Sequence, residues 1–334
     1  MKRLVILAVA CILTVACGSD SRLFKQARLA TSKGKLTEAV SLYSRLIKQD
    51  PKNFAAYVNR GVLWEQLPVK DAKERLSNRQ KAEEDYLKAI ELNPNSAETY
   101  NNLGALYLDM NRNMDAAYYL STALSLDPKY FTARMNRAIV YHRMGRISDA
   151  LSDFDKAAAL RPKDPLLLLN RALSYYELGQ YESAASDLSL LIFFKPDDAR
   201  AYLERAKAFI KMGYPANAYA DLEEAVTIKP TYALAYYYMG DLMFRKGEKE
   251  QALGLLVKSK ELASQYVPTY ELMGDMLAME DPVAATANYM VARKLDPANA
   301  RRYEAKIRLM RSEEGRERVL ANRFFPQALQ QQKR

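Results

Sequence analysis

Small and apolar side chains recur along this chain at one fixed spacing. In the stretch AETYNNLGALYLDMNRNMDAAYYLSTALSLDPKY, from Ala97 to Tyr130, apolar residues fall three and four apart, the spacing that lines one face of an α-helix. The neighbouring stretches repeat it. Prolines close successive copies at Pro51, Pro94, Pro128, Pro162, Pro196, Pro230 and Pro297, with Ser264 where one more would fall, at intervals of 43, 34, 34, 34, 34, 34 and 33 residues. Self-similarity at such a period is the mark of a repeat architecture, in which each unit buries its apolar face against its neighbours.

Each copy can be numbered from 1 to 34 with its proline at position 32. Position 8 is then Ala27, Gly61, Gly104, Ala138, Ala172, Ala206, Gly240 and Gly274, and position 20 is Ala39, Ala82, Ala116, Ala150, Ala184, Ala218, Ala252 and Ala285. Small residues at both places let two helices cross closely, where a larger side chain would push the backbones apart. Apolar groups fill position 11 (Trp64, Tyr107, Tyr141, Tyr175, Phe209, Met243, Leu277) and position 24 (Tyr43, Tyr86, Leu120, Phe154, Leu188, Leu222, Leu256, Tyr289). On these residues, from Asp20 to Asn299, the chain resembles the tetratricopeptide repeat (TPR) family. The resemblance implies an all-α fold: a right-handed α-solenoid superhelix of about eight helix hairpins, with repeats at 20–53, 54–96, 97–130, 131–164, 165–198, 199–232, 233–266 and 267–299.

The copies differ in informative ways. Position 11 of the first is only Ala30, a weak filling expected of a terminal copy. Gly61 to Ala82 spans 21 residues where other copies use 12, so nine extra residues fall around Pro68 to Gln80. They read either as a partner-contacting loop or as a helix lengthened by two solvated turns. In repeats 2, 4, 5 and 6, position 7 is Arg (Arg60, Arg137, Arg171, Arg205) and position 23 is Asp (Asp85, Asp153, Asp187, Asp221), and elsewhere neither is charged. The two change together, which predicts an ion pair joining the two helices of each such repeat.

The N-terminus has a basic start (Lys2, Arg3), an apolar run from Leu4 to Ala16 and then polar residues, the layout of a signal peptide over 1–16. The run falls short of the roughly 20 residues a membrane-spanning helix needs. Leu13-Thr14-Val15-Ala16-Cys17 resembles the lipobox of bacterial lipoproteins, which implies cleavage before Cys17, lipid on that cysteine and a short linker over 17–19. Leu7-Ala8-Val9-Ala10-Cys11 also fits, but cutting there leaves too short an apolar core; a plain secretory signal is the other alternative. Several acyl chains, at about 0.8 kcal/mol per buried methylene, make a stable anchor. Gly18 follows the cysteine where a retention signal would place Asp, which implies the outer membrane, facing the periplasm.

Composition narrows the chemistry. The 334 residues carry a formal net charge of +10, one histidine (His142), and two cysteines that both precede residue 18. With no cysteine beyond that point, stability is expected from packing rather than disulfides. No spacing of His, Asp or Glu suits a metal, no glycine-rich phosphate loop follows a strand, and no nucleic-acid motif accompanies the basic charge, so no cofactor and no enzymatic activity are expected. His142 at position 12 is expected to be solvated or to touch a bound peptide. Residues 300–334 hold 10 basic and 4 acidic residues. They read as a capping helix with Tyr303, Ile307 and Met310 on one face, then a short helix around Val319, Leu320, Phe324 and Phe325 that folds back. The excess charge would be a solvated face or a contact for anionic lipid, glycan or an acidic partner.

Within the resembled family, positions 2, 5, 6, 9, 12 and 13 face the concave side. Position 6 is Asn in four consecutive copies (Asn59, Asn102, Asn136, Asn170), similar to the asparagine ladder by which the TPR superhelix of O-linked N-acetylglucosamine transferases holds an extended peptide. A carboxamide donates and accepts at once and so suits any peptide unit. Beside it, Met135, Ile139, Leu166, Leu169, Leu173 and Tyr176 form an apolar wall, followed by Arg200, Lys207 and Lys211 and then Tyr237 and Phe244. If open to water, such a wall is a recognition surface that favours acidic groups near repeat 6. The expectation is a lipid-anchored adaptor for another envelope protein, similar to lipoproteins that assemble pili or secretins or that recruit peptidoglycan enzymes. A regulatory subunit of an envelope hydrolase or protease, or a glycan-binding lipoprotein, is the alternative.

Overall fold

The structure, a computed structural model, describes residues 22–324. The signal segment, Cys17 with its linker and the last residues of the basic tail lie outside them. The described residues contain eighteen α-helices, one 3-10 turn at Pro297–Asn299 and no strand, and they group into two compact units divided between Gln180 and Tyr181. None of the described helices is long and apolar enough to cross a membrane.

The first unit holds α1 (Arg22–Ser32), α2 (Leu36–Gln49), α3 (Phe54–Gln66), α4 (Ala72–Leu92), α5 (Ala97–Asp109), α6 (Asn113–Leu126), α7 (Phe131–Arg143), α8 (Ile147–Leu160) and α9 (Pro165–Glu177). The second holds α10 (Tyr181–Phe194), α11 (Ala199–Met212), α12 (Pro215–Ile228), α13 (Ala233–Lys246), α14 (Lys249–Leu262), α15 (Val267–Leu277), α16 (Pro282–Leu295), α17 (Ala300–Leu309) and α18 (Glu313–Phe324). Within each unit consecutive helices pack as hairpins, and each hairpin packs on the next, so each unit is a solenoid of stacked hairpins. The helices start and stop where the sequence says. Asn53, Ser96, Asp164 and Asp198 cap helix N-termini through their side chains. The turn inside the hairpin takes a left-handed residue: glycine at 34, 145, 179, 213 and 247, and Asn111 at φ 60°.

The small positions do what their spacing predicts. Every alanine at position 20 is fully buried, and the large group at position 24 is never more than 2% exposed. A Cβ placed on Gly104 would stand 2.6 Å from Leu120 Cγ, and one on Gly61 2.6 Å from Tyr86 Cε1. The helices therefore nest at a separation that only glycine permits at those crossings.

Three of the expected ion pairs are present and alike. Arg60 donates to both carboxylate oxygens of Asp85 at 2.9 and 2.7 Å, Arg137 to Asp153 at 2.7 and 2.9 Å, and Arg205 to Asp221 at 2.8 and 2.7 Å. In each, the third guanidinium nitrogen donates at 3.0 Å to a serine of the preceding hairpin, Ser44, Ser121 or Ser189. The pair thus clasps its own two helices and the previous hairpin at once. Arg171 and Asp187 fall one in each unit, and Arg171 bonds Asp155 at 3.0 Å within the first. Burial pushes the Asp85 carboxyl up from its usual range against the opposing hydrogen bond from Arg60. The pair therefore offsets a desolvation cost and fixes geometry more than it adds stability.

Of the two readings of the insertion, the lengthened helix is the one observed. α4 has 21 residues where α6 and α8 have 14, leaving only residues 67–71 as loop. Asp71 caps its start, accepting from Glu74 N at 2.7 Å, while Glu74 accepts from Lys70 N at 2.8 Å. At the other end α17 closes the stack with Tyr303 and Met310 buried.

Candidate functional site

The predicted inner-face residues of the first unit are in place, but few are open. Asn59, Asn102, Asn136 and Asn170 are all buried. Asn136 Nδ2 donates to Asn101 Oδ1 at 3.1 Å and Asn101 Nδ2 to Asn102 Oδ1 at 3.3 Å, while Asn170 Nδ2 turns back to Leu166 O at 2.9 Å. The expected ladder is therefore largely spent on the protein itself. Two amide atoms of these four asparagines are buried without a partner, Asn102 Nδ2 and Asn170 Oδ1.

The apolar wall needs a similar correction. Met135 and Ile139 belong to a core cluster with Leu103, Leu106, Val140 and Leu167, and Leu169 and Leu173 are only 6% and 5% exposed. α7 touches both α5 and α9. Positions that would face a groove if only hairpin partners met are thus drawn into the seam between successive first helices. Leu166 and Tyr176 remain partly exposed. His142, expected at the surface, is buried: Nδ1 lies 2.8 Å from Ser174 Oγ, which itself donates to Asn170 O, and Nε2 lies 3.1 Å from Glu177.

A cavity of about 440 Å³ survives on this face where α3, α4 and α5 meet. Val62, Glu65, Asn102, Ala105 and Asp109 line it from inner-face positions, and Asn78, Arg79 and Tyr86 line it from α4, the first two of them on its extra turns. Arg79 pairs with Asp109 and ties those turns to α5. Tyr86 donates its hydroxyl to Glu65 Oε1 at 2.5 Å. Glu65 is exposed; desolvation by the protein around its carboxyl pushes it up to about 7, opposed by the hydrogen bond from Tyr86 and by Arg79 and helped by Asp109. The chain's single tryptophan, Trp64, also lines this space and carries Lys81 Nζ 4.5 Å from its ring centroid.

In the second unit the expected basic stretch is muted. Lys207 is 7% exposed and paired to Glu204, Arg200 is partly buried, and Lys211 is exposed. The next two first helices turn an acidic face inward, with Asp241 at position 9 of α13 and Glu271 and Asp275 at positions 5 and 9 of α15. The sequence reading missed these three. α18 lies against them. Arg323 donates to Asp241 and, at 3.3 Å, to Asp275, and Leu320 packs beside a cluster that contains Phe244, Met243, Leu272 and Met276. Lys306 of α17 bonds Glu271 and Asp275 at 2.7 and 2.6 Å, Arg302 also reaches Glu271, and Tyr289 donates to Asp275 at 2.8 Å. Phe244 is thereby buried and Tyr237 partly so. Three cations of the basic C-terminal segment thus pair with the protein's own carboxylates. No group of His, Cys, Asp and Glu able to hold a metal occurs among the described residues.

Comparison with known proteins agrees with this geometry. Models described as tetratricopeptide repeat match residues 71–96, 85–118, 102–165, 167–192 and 199–232, and one described as TPR repeat matches residues 27–67. Human tetratricopeptide repeat protein 6 is 32% identical over 122 residues, 29% of this chain and 24% of its own, so the chain spans about a quarter of that curated relative. Among solved structures, a tetratricopeptide repeat protein from Parabacteroides merdae is 24% identical with TM-score 0.54, covering 75% of this chain and 95% of that one. Pseudomonas aeruginosa pilF is 22% identical with TM-score 0.53, covering 60% and 92%. The Cut9-Hcn1 hetero-tetramer of APC/C gives 17% and 0.55, covering 90% and 55%. At these identities the structural likeness is one of fold. Repeat period, stacked hairpins and family matches converge: the chain is built of tetratricopeptide repeats.

Proposed function

We propose that this chain is a non-enzymatic adaptor that holds a helical or extended segment of another protein on the inner face of its repeats. The carrying observation is α18, which already lies on that face by a charge-assisted contact of Arg323 and an apolar contact of Leu320. A face that holds one short helix by an arginine and a leucine has the chemistry to hold another. The known use of tetratricopeptide repeats as protein-binding scaffolds supports the same reading.

The partner is an envelope protein and the adaptor is tethered through lipid on Cys17 at the periplasmic face of the outer membrane. The layout of residues 1–18 supports this. Replacing Cys17 by Ser should then release the chain from the membrane fraction. A photoreactive residue at Lys211, exposed at position 13 of the inner face, should label one envelope protein in living cells. The same probe at Tyr118, 67% exposed and outside the inner-face positions, should not. Labelling from Tyr118 alone would refute the inner-face reading, and a Cys17→Ser chain that stays with the membrane would refute the tether.

A further inference from the structure

In both units a tyrosine at position 24 donates its hydroxyl to an inner-face carboxylate. Tyr289 reaches Asp275 in the second unit and Tyr86 reaches Glu65 in the first. In both, the glycine at position 8 makes room for the ring: a Cβ on Gly274 would stand 2.5 Å from Tyr289 Cε1, as one on Gly61 would crowd Tyr86. The two sites then differ. Asp275 also receives Lys306 and Arg323, so a basic side chain from the C-terminal helices completes it. Among the described residues Glu65 accepts only from the tyrosine, and it lines the cavity.

We propose that the cavity between α3, α4 and α5 receives a lysine or arginine side chain of a partner polypeptide, with Glu65 as its counter-ion and Asn102 Nδ2 donating to a main-chain carbonyl of the same segment. Three observations carry this. Asn102 is 94% buried by its 6% exposure, lines the cavity, and has no partner for Nδ2. Its orientation is set, because the chain of amides from Asn136 through Asn101 ends on its Oδ1 and turns the donor away from that bond. Of the charged groups around Glu65, Asp109 and Arg79 are engaged with one another. Lys81 lies over Trp64, and Arg75 stands exposed at the mouth. Among the described residues one carboxylate is therefore left without an ion pair of its own, next to one amide without an acceptor. A buried donor without an acceptor and a carboxylate without an ion pair both gain from an occupant that supplies a carbonyl and a cation together.

The space is open on the inner face, at positions 9, 12 and 13 of the second and third repeats, which favours a chain over a small molecule. Its outer wall is the pair of extra turns on α4, so the nine additional residues of repeat 2 acquire a purpose. The inference rests on the adaptor reading above and narrows it to a basic residue.

Trp64 is the only tryptophan and lines the cavity, so its emission reports occupancy in the full chain. Blocked hexapeptides with one Lys or Arg among neutral residues should shift that emission saturably, and their Glu counterparts should not. Because Glu65 must be ionised, affinity for the basic peptides should rise by about tenfold or more from pH 5.5 to pH 8. Glu65→Gln should remove that dependence and weaken binding, and Asn102→Ala should weaken it at every pH while circular dichroism shows both variants folded. Equal response to acidic peptides, tighter saturation by free lysine than by the peptide, or unchanged binding by folded Glu65→Gln would each overturn the proposal. A silent Trp64 together with partner labelling from Lys211 would sink this inference and leave the adaptor reading standing.

Discussion

Gly61 and Gly274 face tyrosines, whereas Gly104 and Gly240 face leucines, and at each of the four an added Cβ would meet the opposing side chain at 2.5 to 2.8 Å. Gly104→Ala should therefore cost about 1–3 kcal/mol in a urea melt, since a methyl must be fitted into a filled crossing. Gly34, Gly145 and Gly179 carry no such neighbour; they are glycine because φ is positive. Asn111 holds the same place at φ 60°, and Asn111→Val should cost about 1–2 kcal/mol with no change in packing, measured the same way. Glu65 sets a pH dependence. Its carboxyl is raised in the folded chain from an ordinary 4.5 to about 7, so the folded state binds that proton more tightly than the unfolded state does. The stability this contributes is complete below about pH 4.5 and is lost as pH rises through about 7. Thermal melts at pH 5 and pH 8 should show a smaller difference for Glu65→Gln than for the native chain.

At the scale of the element, the hairpins were legible because period 34 and the small positions report only on nearest neighbours, which sequence spacing fixes. The Arg-Asp clasp was legible for the same reason. Its third member was written in the sequence too: position 25 of the preceding repeat is Ser44, Ser121, Asp155 or Ser189 before each position-7 arginine, and Leu87, Glu223 or Val257 before Leu103, Met239 and Met273. Reading each repeat by itself hid it, because the bond crosses from one hairpin to the next. A double-mutant cycle on Arg205→Ala and Asp221→Ala should give a coupling of about 0.5–3 kcal/mol. Removing either partner alone should cost more than removing both. The α4 extension could not be told from a loop by composition, since Lys, Glu and Arg suit a solvated helix as well as a solvated loop. The Asp71 and Glu74 pair at its start was the available signal.

Across the whole molecule, what the sequence withheld is which inner-face positions stay open. Periodicity assigns Leu169 and Leu173 to that face but is silent on how closely neighbouring elements approach, and both are buried. It is equally silent on where α18 docks, because Arg323 lies 82 and 48 residues from its two carboxylates. The consequence is functional. The second unit presents an acidic inner face already holding Arg323 of α18, and the first presents a cavity in which Glu65 has no ion-pair partner among the described residues. In both, a cation from a polypeptide is the complement, so the adaptor reading stands or falls on whether these carboxylates recognise a chain. The most direct measurement adds a peptide of residues 313–324 to a chain ending at residue 312 and follows binding by calorimetry. Saturable binding, weakened about tenfold or more by Asp241→Asn, is the predicted result. No binding to a truncated chain that still melts cooperatively would contradict the account.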